Sequence, residues 1–194
     1  MHDTPVIILA NGGSSRFGSP KSQAMLNGRP LIDWVYERVS AQTSGSVLIN
    51  AAAPLKTSFP ASYVNDELER GLGPLAGIHA ALRWAKGQGQ ARVATVSVDT
   101  PFLPLDLLTW LHDAGAPACA KSGGRKHPII GLWDASACDQ LEAYLKTGSF
   151  SAHGWLELCG ARAVPFGPEE GIDPFFNINT PEDMQAAEDY LHAS

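Results

Sequence analysis

The stretch Val6-Ile7-Ile8-Leu9-Ala10-Asn11-Gly12-Gly13-Ser14-Ser15-Arg16-Phe17-Gly18 decides the fold class of this chain. Its first part, residues 6–10, is a short aliphatic run of the kind found in strands buried on both faces. Its second part is rich in glycine and small hydroxyl residues, which expose backbone N–H groups to a ligand. The stretch therefore predicts a buried strand followed by a loop that can hold an anion such as a polyphosphate.

Outward from this stretch, apolar runs alternate with amphipathic segments. The further predicted strands lie at 47–50, 63–64, 91–98, 118–121 and 129–133. The predicted helices lie at 31–40, 74–86, 105–114, 136–146, 153–159 and 181–192, the last of them with Thr180 as N-cap and Asp183 at N3. This alternation predicts a three-layer, Rossmann-like α/β fold, a mainly parallel sheet with helices on both faces. In such sheets ligands bind at the carboxyl ends of the strands.

Length and composition limit the function classes. A chain of 194 residues is expected to form one domain. Its net charge of −6 argues against broad nucleic-acid binding. The apolar run at 6–10 is too short to span a membrane and lacks the basic flank of a signal peptide, so we expect a cytoplasmic protein. The cysteines form no CxxC pair, and we expect Cys119, Cys138 and Cys159 to fill apolar space.

Positive charge is concentrated in two islands. No carboxylate lies between Asp3 and Asp33, a segment that contains Arg16 and Lys21. None lies between residues 113 and 134 either, and there the basic side chains are Lys121, Arg125, Lys126 and His127. Two basic islands on an acidic protein indicate two places for anions. The alternatives are a flexible surface turn for the first island and a solvated hairpin tip, residues 122–124, for the second.

The glycine-rich loop differs from two common nucleotide-binding motifs. No G-K-[ST] ends it, as a Walker A loop requires, and its glycines lack the GxGxxG spacing. The sequence therefore disfavours a P-loop ATPase and a dinucleotide-dependent dehydrogenase.

Asp99 follows the most apolar predicted strand directly. A carboxylate at the end of a central strand suits Mg²⁺, which takes one or two carboxylates from a protein and completes its shell with phosphate oxygens and water. We therefore expect Asp99 to bind Mg²⁺ beside the phosphate loop. The alternative is that Asp99 only caps the turn before Pro101.

These motifs resemble a known family. The loop 9–18, with Lys21 three residues on, is similar to the signature loop of the nucleotidyltransferase superfamily. Further motifs occur in the same order and at similar spacings in the molybdenum cofactor guanylyltransferases, the MobA family: Gly73-Pro74-Leu75-Ala76-Gly77, Asp99-Thr100-Pro101-Phe102-Leu103-Pro104, His127-Pro128 and Asn177-Ile178-Asn179-Thr180-Pro181-Glu182-Asp183. The resemblance extends from Val6 to Leu191.

The resemblance implies a Mg²⁺-dependent nucleotidyltransferase with the fold of the nucleotide-diphospho-sugar transferases. GMP would pass from GTP to the phosphate of molybdopterin, giving the guanine dinucleotide cofactor and pyrophosphate. Residues 1–194 would form one nucleotidyltransferase domain, with nucleotide binding in about 1–105 and acceptor binding in about 106–194. Transient contacts with other proteins of molybdenum cofactor biosynthesis are also implied, without membrane or nucleic-acid partners.

Residue by residue, the resemblance assigns three groups. The nucleotide-binding group is Leu9, Ala10, Asn11, Gly12, Gly13, Lys21, Asn50, Asp66 and Asp99. The catalytic group is Arg16, Lys21 and Asp99, with Asp99 as the metal ligand. The acceptor-binding group is Arg125, Lys126, His127, Asn177 and Asn179. A solvated acidic loop is the alternative for Asp66, and a structural turn is the alternative for Asn177 and Asn179.

Three positions depart from the family pattern. Asn11 stands where glycine is usual, Phe17 where methionine is usual, and Pro20 where an aspartate usually precedes the lysine. Because a Pro-Lys pair is more usual in cytidylyltransferases and sugar-nucleotide transferases, an enzyme of that kind is the alternative function. A non-catalytic carrier or sensor of nucleotide or pterin is a third, which Arg16, Lys21 and Asp99 together argue against.

Overall fold

The computed structural model describes residues 2–11, 23–64, 73–168 and 171–193. Its strands are β1 (Val6–Leu9), β2 (Met25–Leu26), β3 (Arg29–Pro30), β4 (Val47–Asn50), β5 (Ser62–Val64), β6 (Arg92–Ser97), β7 (Ala118–Ser122), β8 (Arg125–Asp134) and β9 (Arg162–Pro165). Its helices are α1 (Leu31–Ser40), α2 (Pro74–Gly87), α3 (Leu107–Ala114), α4 (Cys138–Lys146), α5 (Ala152–Leu158) and α6 (Pro181–Ala193).

In the described part of the chain, the central sheet contains seven strands in the order β5-β4-β1-β6-β8-β7-β9. β1 lies between β4 and β6 and runs parallel to both. β5 pairs in parallel with β4, and β9 with β7. β8 is antiparallel to both of its neighbours. The predicted α/β class with a mainly parallel sheet is confirmed.

Helices cover both faces of this sheet. Val6 and Ile8 of β1 pack in one core cluster with residues of α1 and α3. Ile7 and Leu9 pack in a second cluster with residues of α2, α4 and α5. Because both faces of β1 are buried, the strand needs apolar residues at every position, which is the pattern seen in the sequence. The three-layer arrangement is confirmed.

Two features of the sheet structure lie outside the sequence prediction. The first is the β2–β3 hairpin, whose turn consists of Asn27 (φ 48°) and Gly28 (φ 76°). An Asn-Gly pair readily adopts such left-handed angles, so this dipeptide is the signal that indicates the hairpin. The second is β9, a short strand at the edge of the sheet that ends at Pro165. Both are too short to show a clear alternation of apolar and polar residues.

Some element bounds also differ from the prediction. β8 begins at Arg125 rather than at residue 129, because Gly123 (φ 52°) and Gly124 (φ 79°) make a tight turn that returns the chain directly onto β7. The helix expected from residue 105 begins at Leu107. The helix expected from residue 136 begins with a 3-10 turn, Ala135–Ala137, ahead of α4.

The start of α6 has the predicted capping arrangement. The N–H of Asp183 donates to Thr180 Oγ1 over 3.1 Å. In return, Asp183 Oδ2 accepts from the N–H groups of Asn179 and Thr180 over 2.8 and 2.9 Å. This reciprocal pattern is a capping box with aspartate in place of glutamate, and it fixes where the preceding segment ends.

The cysteines fill apolar space, as expected: Cys119 and Cys138 are buried and Cys159 is half-buried. Burial raises the pKa of all three thiols, that of Cys119 to about 11. The thiols therefore stay protonated at neutral pH, which makes them poor nucleophiles. Within the described ranges, no helix combines the length and apolar character that crossing a membrane requires.

Candidate functional site

Three parallel strands end at the same level in the centre of the sheet. Leu9, the last residue of β1, is in register with Asn50 of β4 and with Ser97 of β6. Beyond the strand ends, the N–H of Ala10 donates to the carbonyl of Asn50 over 2.8 Å, and the N–H of Val98 donates to that of Leu9 over 3.1 Å. The segments that carry the predicted nucleotide-binding residues 9–11, 50 and 99 therefore meet at one edge of the sheet, here called the strand-end edge.

Asn50 orients the amide of Asn11 at this edge. The side chain of Asn50 is fully buried, and its Nδ2 donates to the carbonyl of Val64 over 3.0 Å. Its Oδ1 therefore faces the other way and accepts from Asn11 Nδ2 over 3.2 Å. Asn11 is exposed. A buried amide thus holds an exposed one in a defined orientation, as a ligand-binding group requires.

The first turns of α2 pack against the same edge. α2 begins with Pro74 in its first turn, after Gly73 (φ 60°). A Cβ on Gly77 would lie 2.9 Å from Leu9 Cδ2 and 3.2 Å from Asn50 Oδ1, so glycine permits the close approach. The N-terminal part of a helix carries partial positive charge, which favours an anion nearby.

Asp99 lies one turn beyond the end of β6. Its carboxylate accepts a hydrogen bond from Ser97 Oγ at Oδ1. The turn itself is closed by Thr100, whose Oγ1 donates to the carbonyl of Ser97 over 2.9 Å. The Asp99 side chain is half-buried. A carboxylate held in this way can serve as a ligand at the strand-end edge.

The donor set at Asp99 fits a Mg²⁺ ion shared with a polyphosphate. Oxygen ligands are those that Mg²⁺ prefers, and it seldom needs more than one or two carboxylates from a protein. Across residues 2–11, 23–64, 73–168 and 171–193, no group of three or more His, Cys, Asp or Glu side chains could hold a metal ion. The described part of the chain therefore holds no closed metal cage of three or more such side chains.

The C-terminal segment reaches the same edge. The N–H of Ile178 donates to the carbonyl of Asp99 over 2.9 Å. Asn177 and Asn179, both exposed, flank Ile178 immediately before the capping box of α6. The structure thus brings the Asn177–Asn179 motif next to Asp99, although the two are far apart in the sequence.

The second basic island divides between the two faces of the sheet. Lys126 is in register with Lys121, whereas Arg125 is in register with Ser122. Because neighbouring residues of a strand point to opposite faces, Lys126 lies on one face while Arg125 and His127 lie on the other. Consistent with this, the charge of Lys126 acts on Cys119: burial raises the pKa of this thiol, and the nearby charge of Lys126 partly opposes the rise. The hairpin therefore does not bring all three predicted acceptor residues together.

His127 belongs to a hydrogen-bonded cluster on its face. Its Nε2 lies 2.8 Å from Ser122 Oγ, which is also 2.8 Å from both carboxylate oxygens of Asp173. Its ring packs on Phe175 with 4.7 Å between the centroids. Burial lowers the pKa of His127; Asp173 opposes this effect and Arg125 adds to it. Sequence reasoning missed Asp173, because its partner Ser122 lies on a different element.

Several predicted site residues lie outside the described residues. They are Gly12, Gly13, Arg16, Lys21 and Asp66. Their assigned roles stay predictions.

With this geometry in place, comparison with known proteins identifies similar chains. The family model of the MobA-like NTP transferase domain matches residues 6–161. A molybdenum cofactor guanylyltransferase from Acidiphilium cryptum is 40% identical over 185 residues, which cover 94% of this chain and 92% of the relative.

Solved structures give the same result for the fold. The crystal structure of molybdopterin-guanine dinucleotide biosynthesis protein A from Archaeoglobus fulgidus superposes with a TM-score of 0.76 at 26% identity, covering 98% of this chain and 100% of that one. The 2-C-methyl-D-erythritol 4-phosphate cytidylyltransferase from Thermus thermophilus superposes with a TM-score of 0.67 at 19% identity, covering 99% and 100%. The second likeness concerns the fold alone.

Proposed function

The chain belongs to the family of MobA-like NTP transferase domains, and from this premise we propose that it transfers GMP from GTP to the phosphate of molybdopterin, releasing pyrophosphate. Relatives that are similar over nearly the whole chain carry the name molybdenum cofactor guanylyltransferase. The name supports guanine as the base and the molybdenum cofactor as the acceptor.

The proposal rests on one observation: β1, β4 and β6 end at the same level in the sheet. This arrangement has a direct consequence for the side chains at their ends. It gathers the oriented amides of Asn11 and Asn50 and the carboxylate of Asp99 at one edge. Amides suit the hydrogen-bonding edges of a nucleobase, and a carboxylate suits a cation on the phosphates. The strand-end edge therefore has the groups that a nucleoside triphosphate with its metal ion needs.

In the proposed reaction, the nucleotide and the acceptor are bound by different parts of the chain. The nucleotide would bind within about 1–105, where β1, β4 and β6 lie, through Leu9, Ala10, Asn11 and Asp66. The buried Asn50 would act by orienting Asn11. The acceptor would bind within about 106–194, through Arg125, His127, Asn177 and Asn179. The hydrogen bond from Ile178 to Asp99 supports a junction between the two parts.

Charge neutralisation is the main catalytic requirement of this reaction. The acceptor is a phosphate monoester that is already anionic at neutral pH, so no general base is needed to create the nucleophile. Two anions must instead be brought together and held in line. We propose that Arg16, Lys21 and the loop amides of Gly12 and Gly13 hold the triphosphate.

Asp99 would hold the Mg²⁺ ion in the proposed reaction. When bound, the ion supplies positive charge to the phosphate oxygens. Ser97 holds the Asp99 carboxylate, and Ile178 holds the Asp99 backbone. Both contacts limit the movement of this carboxylate, which supports its assignment as a preorganised ligand.

A cytidylyltransferase is the second candidate function. The Pro20-Lys21 pair is more usual in cytidylyltransferases and sugar-nucleotide transferases, and Asn11 departs from the guanylyltransferase pattern close to where the base would lie. The phosphate chemistry would be the same, and only the base would differ.

The test is a transfer assay with purified protein, molybdopterin, Mg²⁺ and one of GTP, CTP or UTP. We expect pyrophosphate release and a guanine dinucleotide product with GTP, and at least tenfold lower rates with CTP and UTP. Faster turnover with CTP would establish the second candidate. No pyrophosphate with any nucleotide would contradict both.

A further inference from the structure

The cluster of Ser122, His127 and Asp173 has an unusual order of hydrogen bonds. The hydroxyl of Ser122 lies at the centre, 2.8 Å from His127 Nε2 and 2.8 Å from each oxygen of Asp173. In a nucleophilic triad the histidine lies at the centre and the serine at the end. Ser122 is also buried, with only 5% of its surface exposed. The cluster therefore does not activate a nucleophile, and its geometry requires another explanation.

The hydrogen-bonding capacities of the three groups fix where the protons lie. A serine hydroxyl has one proton, and an ionised carboxylate can only accept. Ser122 therefore donates to Asp173 and must accept from His127. It follows that Nε2 of His127 carries a proton. Neutral His127 then has its lone pair on Nδ1, which makes no hydrogen bond with any residue in the described part of the chain.

Among the described residues, one cation and one anion lie near His127 at the hairpin tip. The groups that face it are Arg125 from its own strand, Asp173 from the segment before α6, and the uncharged Ser122 and Phe175. The Asp173 carboxylate is engaged by Ser122 and by the N–H of Phe175, 2.8 Å from Oδ1. The exposed guanidinium of Arg125 has no ion-pair partner among the residues that the structure describes. An anion on this face would meet Arg125 and the imidazole together.

We propose that Asp173 and Ser122 are positioning residues for the acceptor's phosphate: they hold the imidazole of His127 through Nε2, so that Nδ1 takes up a proton and donates a hydrogen bond to a phosphate beside Arg125. The inference rests on the proposed function, because it assigns the acceptor's phosphate to the hairpin. It adds two residues that do not touch the phosphate and act through His127.

This arrangement makes phosphate binding depend on pH. Burial keeps the pKa of His127 below its usual value, so the imidazole is neutral at pH 7 without a ligand. A phosphate beside Nδ1 stabilises the charged form and raises this pKa, and binding therefore takes up a proton. Affinity for phosphate falls as the pH rises from 6 to 8, and the fall requires His127.

The first test uses no enzymatic activity. Nitrogen-15 NMR of the full chain distinguishes the two neutral tautomers of His127, and inorganic phosphate serves as the probe. We expect the Nε2–H tautomer in the free protein and a rise in the pKa of His127 when phosphate is added. Ser122→Ala should lose the tautomer preference and most of the phosphate-induced rise, whereas Ser136→Ala, an exposed serine at the opposite edge of the sheet, should behave as wild type. The Nδ1–H tautomer, or no response to phosphate in the wild type, would overturn the proposal.

The second test is a double-mutant cycle in the transfer assay. Ser122→Ala and Asp173→Ala should each raise the acceptor KM about tenfold, the loss of roughly one charge-assisted hydrogen bond, with the nucleotide KM unchanged within twofold. In the His127→Gln background, Ser122→Ala should add less than twofold, since both act on the same group. Equal effects in both backgrounds would show that Ser122 does not act through His127.

The two tests separate this inference from the proposed function. If the wild-type protein releases no pyrophosphate but His127 shows the expected tautomer and phosphate response, the proposed reaction fails and the phosphate site stands. If transfer proceeds while His127 shows neither, the reaction stands and the positioning role fails.

Discussion

At the scale of single residues, Asp99 is the carboxylate on which the proposed chemistry depends most. Removing one preorganised charge-stabilising group typically costs about 10²–10³-fold in rate. We therefore expect Asp99→Asn to lower kcat by about that factor, while the melting temperature stays close to that of the wild type. Asp113→Asn changes an exposed aspartate at the end of α3 and should leave kcat unchanged. Equal rates for the two variants with saturating Mg²⁺ and GTP would refute the role of Asp99.

Arg125 and Lys126 are sequence neighbours on opposite faces of β8, which provides a matched comparison. Arg125→Ala should raise the acceptor KM about tenfold, the cost of roughly one hydrogen bond to a charged group. Lys126→Ala removes the same formal charge from the other face and should change the acceptor KM by less than threefold. Steady-state kinetics with varied molybdopterin measures both values. If Lys126→Ala has the larger effect, the acceptor lies on the face of Lys121.

A single sequence identifies a functional residue well where the local sequence pattern marks its position. Asp99 was predicted because it follows an apolar strand, whereas Asn50, at the end of a strand, was assigned by the family resemblance; the structure places both at the strand-end edge. Asp173 was missed because its bond to Ser122 depends on how the segment before α6 crosses the hairpin. The separation of Lys126 from Arg125 was also missed, since it depends on where β8 begins. Contacts between distant segments are set by topology, which a single sequence does not display.

At the scale of elements, the packing of α2 against β1 and β4 shapes the strand-end edge. Gly77→Ala would place a Cβ 2.9 Å from Leu9 Cδ2 and 3.2 Å from Asn50 Oδ1, forcing α2 or these side chains to move. We expect a loss of about 1–3 kcal/mol in the free energy of unfolding, which corresponds to a fall in Tm of about 2–4 °C per kcal/mol. The nucleotide KM should rise as well, because Asn50 orients Asn11.

The control lies in the same helix. Gly87→Ala adds the same methyl group where no atom lies within 4 Å, so stability should be unchanged or slightly higher. Thermal unfolding of both variants measures the difference. Similar melting temperatures for the two would show that the close approach of α2 to Leu9 is not required.

Long elements with a clear period are predictable, and short ones are not. The central strands follow from their continuous apolar runs and the helices from their apolar periodicity, because burial selects both patterns. The β2–β3 hairpin and β9 have too few residues to show a period, and each is fixed by its partner: β9 by β7, and the hairpin by α6. The capping box at Thr180 and Asp183 was predictable because its contacts are local.

At the scale of the whole molecule, the pKa shifts of half-buried His112 and buried Cys119 set the pH range of greatest stability. Burial lowers the pKa of His112, and the nearby charges of His2 and Arg92 add to this. The unfolded chain therefore binds more protons below pH 6.5, the ordinary value for histidine, and stability rises with pH up to that point. Burial raises the pKa of Cys119 from 9.0 to about 11, so the unfolded chain loses a proton first and stability falls above pH 9.0.

Urea unfolding between pH 5 and pH 10 should therefore show greatest stability between the two limits. His112→Gln should reduce the slope on the acid side, to which His127 also contributes. Cys119→Ala should reduce the slope on the alkaline side, to which Cys138 and Cys159 also contribute. A profile that rises continuously from pH 7 to pH 10 would contradict this assignment.

The proposed function requires the strand-end edge to bind a nucleoside triphosphate through a divalent ion on Asp99. The most direct measurement is a crystal structure with Mn²⁺ in place of Mg²⁺ and a non-hydrolysable GTP analogue. We expect an anomalous peak about 2 Å from an oxygen of Asp99, near the phosphates, and the base within hydrogen-bonding distance of Asn11. A nucleotide bound elsewhere, or an ion that does not contact Asp99, would contradict it.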